Sequence, residues 1–211
     1  MRLALVLLLA AAPVLAAVPE KGEGDITLLG GVRSILPSNA DYLNEQGATH
    51  QPVQFGGIAS FGYQYDEELH FKIDLGYLAD RYRITGGDLQ VRSIPILLAL
   101  DTALWRGSAF TLYGGGGLGY SLNTGTRAGA SNDANSTAAY VALGFRYQLA
   151  GVLALVVEDR WTLASAQVDA GHSTLNLNVG GNLFSLGLMF HFFQPEEKSS
   201  TPPGDRPARV R

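Results

Sequence analysis

The chain contains no cysteine. Disulfides and thiolate metal sites are therefore excluded, and so are the staples on which small exported soluble domains commonly rely. Past the first residues, no stretch is continuously apolar for the 18 or so residues that a membrane-spanning helix needs. Charge is sparse, at 16% of residues, and its balance of −4 argues against a nucleic-acid partner. The four histidines are scattered without ligand spacing, which leaves a metal site unsupported. What is plentiful is glycine, with 26 residues spread through strand-like segments rather than gathered in linkers. Glycines placed this way suit close packing inside a narrow barrel.

Residues 1–16 read as a secretory signal peptide: Arg2 is the positive region, Leu3 to Ala12 the apolar core, and Val14-Leu15-Ala16 a small-residue cleavage site. The apolar run ends at Pro13, too early for a transmembrane helix. Removing Arg2 with the signal shifts the balance from −4 to −5. Residues 17–193 then form one domain, and residues 194–211, rich in proline and charge, read as a disordered tail.

Within that domain, eight segments alternate apolar and small-or-polar residues, and the connections between them are alternately short and long. Asp66-Glu67-Glu68, Trp105 to Ser108 and Ala150-Gly151 are tight; the other connections run from about eight to more than fifteen residues and are rich in Gly, Asn, Ser and Thr. An up-and-down sheet with its long loops at one end is the pattern of a transmembrane β-barrel. The strands are expected at 25–33, 53–65, 69–82, 91–104, 109–122, 138–149, from about 152, and 182–192. Residues 34–52 and 123–137 are expected as long polar loops, the second exposed and mobile. Leu175, Leu177 and Val179 alternate within the last loop, so a strand is expected to extend beyond the membrane there.

One face of the strands is apolar, as in Phe71, Ile73 and Leu75 or Phe184, Leu186 and Leu188. The opposite face carries His70, Lys72, Asp74, Asp101, Arg146, Glu158, Arg160 and His191. Both signs are present, so pairs such as Arg146 or Arg160 with Glu158, and Asp74 with Lys72, are expected to plug a lumen with little room for water. Counting outward from the turns sets Lys72 opposite Gly62, Asp74 opposite Ser60, Glu158 opposite Gly144 and Arg160 opposite Ala142. The same count about the Arg106-Gly107 turn sets Asp101 opposite Tyr113, and Leu97 and Ala99 opposite Gly117 and Gly115. Tyr63, Tyr65, Phe71, Trp105, Phe110, Tyr147 and Phe192 lie beside the short turns, as an interfacial aromatic girdle requires. Asp159 falls on the apolar phase, expected near the outer edge of the apolar band unless a bulge turns it inwards.

Gly114, Gly116 and Gly119 match a dinucleotide fingerprint literally, yet Leu118, Tyr120 and Leu122 continue the strand alternation where a helix would have to begin. His172-Ser173, in the last loop, could serve a lipid-modifying hydrolase, but no acidic partner is placed by the sequence. No catalytic, cofactor-binding or metal-ligating residue is assigned, and no cofactor is expected.

The eight segments, the Ile94-Pro95-Ile96 start of the fourth and the Tyr113-Gly114-Gly115-Gly116-Gly117-Leu118-Gly119-Tyr120 run resemble the small bacterial outer-membrane β-barrel family, of the OmpA, OmpX and OmpW type. Leu186-Gly187-Leu188 leading to Phe190 and Phe192 resembles its closing strand. The resemblance covers residues 25–193. It implies an all-β, eight-stranded antiparallel up-and-down transmembrane barrel in a Gram-negative cell outer membrane. It also implies contact with outer-membrane lipid and lipopolysaccharide, and insertion by the barrel-assembly machinery. The family's last strand usually ends at the C-terminal aromatic, whereas this sequence continues for 18 residues after Phe193, too few for a peptidoglycan-binding domain. Family members differ in role, from adhesion and envelope integrity to passage of small apolar molecules. A non-enzymatic structural or surface-interaction role is expected here. An OmpW-like conduit is the second reading and an outer-leaflet hydrolase the third. A soluble lipocalin-like carrier is disfavoured because its interior should be apolar and its exterior charged.

Overall fold

Period-two alternation sends successive side chains to opposite faces of a strand, and here the two faces differ in polarity along nearly every segment. The computed structural model describes residues 21–34, 49–50, 54–84, 87–127, 130–169 and 174–192, and among these it contains ten strands and no helix. They are β1 (Gly24–Ser34), β2 (Thr49–His50), β3 (Gln54–Gln64), β4 (Leu69–Ile84) and β5 (Gly87–Arg106), then β6 (Phe110–Arg127), β7 (Ala130–Ala150), β8 (Leu153–Asp169), β9 (Thr174–Asn178) and β10 (Gly181–Phe192). Eight of them close a ring in the order β1-β3-β4-β5-β6-β7-β8-β10, sealed by a β10–β1 ladder from Gly24↔Phe192 to Ser34↔Asn182. The ladders are antiparallel throughout. The fold is the all-β, eight-stranded up-and-down barrel that the alternation predicts. The expected signal peptide (1–16), the tail (194–211), most of the 34–52 loop and the His172-Ser173 pair lie outside the described residues.

Burial is inverted relative to a water-soluble protein. Leu98, Leu118 and Phe55 are 69%, 70% and 71% exposed, whereas Asp74, Asp101 and Glu158 are each 1% exposed. Monomeric soluble proteins do not expose a continuous apolar surface of this extent; lipid is the medium that it suits. A closed ring also satisfies the strands' main-chain donors and acceptors without water. The girdle residues stand where the sequence placed them. Around the turns, Tyr65 packs on Phe71 at 5.9 Å, Trp105 on Phe110 at 5.5 Å and Phe61 on Phe192 at 5.8 Å. Phe55, Tyr77, Tyr120, Trp161 and Phe184 form a second exposed set at the other end. It lies about 8–11 residues further along, or about 20–28 Å at 3.3 Å per residue with a tilt of about 40°, which matches an apolar band about 25 Å tall.

The expected registers hold for Gly62↔Lys72, Ser60↔Asp74, Gly144↔Glu158 and Ala142↔Arg160. Those counted about the Arg106-Gly107 turn do not. Asp101 faces Gly115 rather than Tyr113, Ala99 faces Gly117 and Leu97 faces Gly119. The reason is twofold. The turn is closed by Gly107 N–H donating to the Phe110 carbonyl, so it centres on Ser108 and Ala109, and a bulge between Ala103 and Trp105 then shifts the ladder by one. The inward phase is unchanged, and bulky residues face glycine more consistently than the sequence count implied.

The 123–137 segment is not a loop in its described part. β6 runs on to Arg127 and β7 starts at Ala130, paired from Asn123↔Ala134 to Arg127↔Ala130. Thr124 donates to Asp133 at 3.0 Å, and the Thr126 and Ser131 hydroxyls meet at 3.1 Å. Asn123 is 1% exposed and donates to the Ser136 hydroxyl. Likewise Gly87 and Asp88 pair with Ile84 and Arg83 instead of forming a loop. The expected strand beyond the membrane is β9, which pairs with β8 from Ser165↔Asn178 to Asp169↔Thr174.

Candidate functional site

The polar residues converge in the lumen, because every strand sends its alternate positions there. Nearest the short turns, Gln64 donates to the carbonyl of Asp66 at 2.6 Å and Gln148 to that of Ala150 at 2.7 Å. Each glutamine occupies the last inward position before a turn and donates to a turn carbonyl. His191 Nδ1 stands 3.8 Å from the Glu23 carboxylate at this level.

Above them lies a continuous ionic network. His70 Nε2 meets Asp25 at 2.6 Å, and its Nδ1 lies 3.0 Å from Arg146 Nη2. Arg146 donates to Asp101 at 2.7 Å and Lys72 lies 3.0 Å from the same carboxylate. Lys72 also reaches Glu158 at 3.5 Å. Arg160 then bridges Glu158 at 2.8 Å and Asp74 at 2.9 Å. The expected Arg160–Glu158 pair is present, but Asp74 takes Arg160 rather than Lys72 as its ion-pair partner. Lys72 on β4 instead extends towards β5 and β8, where Asp101 and Glu158 lie.

Two tyrosines organise this network in the same way. Tyr113 carries Arg146 over its ring at 4.3 Å and donates its hydroxyl to Glu158 at 2.9 Å. Tyr140 carries Arg160 at 3.8 Å and donates to Asp74 at 2.7 Å. Each ring thus holds an arginine over its face and a carboxylate at its hydroxyl. Lys72 is a more distant cation, 5.9 Å from the Tyr113 centroid and 6.0 Å from that of Tyr140. The glycines make this possible. A Cβ at Gly117 would stand 2.5 Å from the Tyr140 ring, and one at Gly144 would stand 2.6 Å from Cζ of Tyr113. The literal dinucleotide fingerprint is therefore a strand with no helix following it, whose inward Gly115 and Gly117 give room to Asp101 and Tyr140, while Gly144 on β7 does the same for Tyr113.

Towards the outer end the lumen turns apolar, with Ile58, Leu78, Leu97 and Leu183 all buried. Arg33 and Asp80 form a salt bridge across this end, and Arg33 also donates to the carbonyl of Gly180 at 2.7 Å. The sequence reading did not single out Arg33, Asp80, Asp25 or the two tyrosines. Their positions on the inward phase of β1, β4, β6 and β7 were the available signal. Among the described residues, the ionic part of the lumen holds a cavity of about 20 Å³ beside Asp74 and Arg160, and one of about 10 Å³ beside Lys72 and Glu158. Each is on the scale of a single water.

On the outer face, Asp159 is directed to the apolar side as its phase predicted, where it accepts a hydrogen bond from Asn182 at 2.5 Å. Buried charges are tolerable only when paired, and this lumen pairs its charges internally. Chemically, such an arrangement fills and rigidifies the barrel. Among the described residues, no group of three ligand-type side chains is gathered to hold a metal ion, and the His172-Ser173 pair lies outside them.

The outer membrane protein β-barrel domain family matches residues 3–192 of this chain. Among solved structures, Neisserial surface protein A is 17% identical with a TM-score of 0.55, covering 83% of this chain and 100% of its own. The outer membrane protein OprG from Pseudomonas aeruginosa is 15% identical with a TM-score of 0.55, covering 83% and 98%. The N-terminal barrel domain of Pseudomonas aeruginosa OprF is 15% identical with a TM-score of 0.50, covering 82% and 100%. At these identities the structures speak for the fold alone. Comparison with curated protein sequences gives no significant match.

Proposed function

Because this chain belongs to the outer membrane protein β-barrel domain family, and is therefore an integral protein of the outer membrane, we propose that it acts there as a sealed, non-enzymatic barrel that presents its long hairpins at the cell surface. Its role in this reading is structural support or contact with an exterior partner. The observation that carries it is the lumen, where Lys72, Arg146 and Arg160 are each held by carboxylates and the cavities beside them, among the described residues, are about 20 and 10 Å³. At the level of this network, such spaces are too small for a solute or a substrate. Residues 1–16 are assigned to an export signal and residues 194–211 to a periplasmic tail. Insertion by the barrel-assembly machinery is supported by the exposed stripe Phe184, Leu186, Leu188 and Phe190 on the closing strand.

A conduit for small apolar molecules is the second reading, favoured by the apolar outer half of the lumen. The Arg33–Asp80 bridge across that half and the small cavity beneath it weigh on the side of the sealed barrel. Planar-bilayer recording of the purified protein tests the proposal. No steady conductance is expected, and reproducible steps of porin size would refute a sealed lumen.

A further inference from the structure

One groove on the outer face has an unusual origin and unusual walls. β3 stops pairing with β4 at Gly56↔Leu78, and on this side β4 is next paired, among the described residues, at Tyr82 and Arg83 by β2. The β4–β5 ladder skips Gly76 and Tyr77 opposite Ile94 and Pro95, as a proline without an N–H dictates. With only Leu78 between them, these interruptions leave a surface groove of about 450 Å³, within the usual range for a ligand site.

The lower wall is apolar and aromatic: Phe55 is 71% and Tyr77 51% exposed, both in the outer girdle. The upper wall carries Arg81 and Arg92, both exposed. In the ladder Ala79 faces Arg92 and Arg81 faces Gln90, so the two arginines are diagonal neighbours on one face. That spacing lets long side chains meet across strands, and two like charges so placed favour an anion between them. Arg83, one step further out, is paired with Asp88 at 3.8 Å, whereas Arg81 and Arg92 have no ion pair among the described residues. Asp80 borders the groove from the lumenal side, with its charge already taken by Arg33. Elsewhere on the outer rim, among the described residues, the outward charges are acidic: Asp133 on β7 and Asp159 on β8, the latter held by Asn182. The basic pair is therefore local, in a chain whose net charge is −4.

We propose that this groove binds one phosphate-bearing lipid of the outer leaflet, its phosphate between Arg81 and Arg92 and an acyl chain descending over Tyr77 and Phe55. The heights agree. Arg92 stands about two residues and Arg81 about four beyond the aromatic girdle, or about 5 and 10 Å, the headgroup zone. A soluble anion would gain nothing from the aromatic wall, and a zwitterionic lipid would bring its own cation to the arginines.

The test uses the full chain folded in detergent micelles, titrated with dioctanoyl phosphatidic acid and followed by native mass spectrometry. One lipid per barrel is expected, and the Arg81→Gln/Arg92→Gln double variant should bind about thirty-fold more weakly, the order expected for two arginines at a lipid surface. Arg83→Gln, outside the groove, should bind as the wild type does, and all variants should keep the heat-modifiable folded band. Inorganic phosphate should fail to displace the lipid, and dioctanoyl phosphatidylcholine should bind the wild type and the double variant equally weakly. The proposal is overturned if the double variant, still folded, keeps wild-type affinity. Displacement by inorganic phosphate, or equal binding of phosphatidylcholine to the wild type, would overturn it as well. Should the double variant fail to fold, Tyr77→Ala takes its place, with weaker lipid binding as the expected result and unchanged binding as the refutation.

Discussion

Asp101 on β5 lies directly opposite Gly115 on β6, and its carboxylate occupies the volume that a side chain at position 115 would need. The same carboxylate holds Lys72 at 3.0 Å and Arg146 at 2.7 Å. A glycine is thus part of an ion-pair network to which it contributes no atom of its own.

Gly115→Val should therefore act as an electrostatic mutation. It displaces Asp101 from two buried cations, and the expected loss is about 3–5 kcal/mol, the cost of breaking a buried pair. Gly30→Ala is the control, because nothing lies within 4 Å of a Cβ there. Urea unfolding in vesicles, read by the heat-modifiable band, should separate the two clearly. Equal midpoints would mean that Asp101 relocates without cost.

The lumenal tyrosines and carboxylates should rank by what each substitution strands. Tyr113→Phe removes one hydroxyl bond to Glu158 but keeps the ring beneath Arg146, and about 1–2 kcal/mol is expected. Glu158→Ala leaves Lys72 and Arg160 each short of a partner, and about 3–5 kcal/mol is expected. Equilibrium unfolding that gives the reverse order would contradict the network as described.

At the exposed β3–β4 turn, Asp66 accepts the amide hydrogens of Leu69 and Glu68, each at 2.8 Å. These bonds hold its pKa below the ordinary 3.8. Their contribution to the turn is complete above pH 3.8, where the carboxyl would be ionised even in an unfolded chain, and is lost as pH falls through the lower folded value. An NMR titration should accordingly find the Glu68 and Leu69 amide shifts moving below pH 3.8, with that movement absent in Asp66→Asn. A midpoint at or above 3.8 would remove the proposed bonds from the account.

Assembly should depend on the last strand and not on the residues beyond it. Phe192 packs on Phe61 at 5.8 Å and lies opposite Gly24 in the ladder that closes the ring. Phe192→Asp should deplete the protein from outer membranes, since a carboxylate replaces an interfacial aromatic at the closure. A chain ending at Phe193 should keep its folded band, because residues 194–211 are too polar to bury much. Normal assembly of Phe192→Asp, or failed assembly of the shortened chain, would count against this division.

The phase of each strand was legible because it depends only on parity: residues 70, 72 and 74, or 158 and 160, point the same way whatever their partners. Partner identity was not legible. Whether Asp74 meets Lys72 or Arg160 depends on which strands face each other across the lumen, information that a linear pattern does not carry. The Arg33–Asp80 bridge was missed for the same reason, its members lying 47 residues apart on different strands. The register at Asp101 failed on a turn whose centre and adjoining bulge leave no mark on polarity. The 123–137 hairpin failed differently: its inward positions Asn123 and Ser136 are buried but polar, so the polarity alternation that signals a strand disappears.

The inverted distribution of polar and apolar side chains also constrains how this protein can reach its native state. In water, folding is driven by collapse of apolar groups away from solvent, and a lumen of Asp, Glu, Lys and Arg supplies little such drive. The apolar groups that could supply it point outward and find their partner only in lipid. Closure of the ring from Gly24↔Phe192 to Ser34↔Asn182 is moreover the most distant pairing in the chain, and such contacts form slowly because loop entropy must be overcome first. Insertion and folding are therefore one reaction, and until the outer face meets lipid the charged interior has nothing to enclose it.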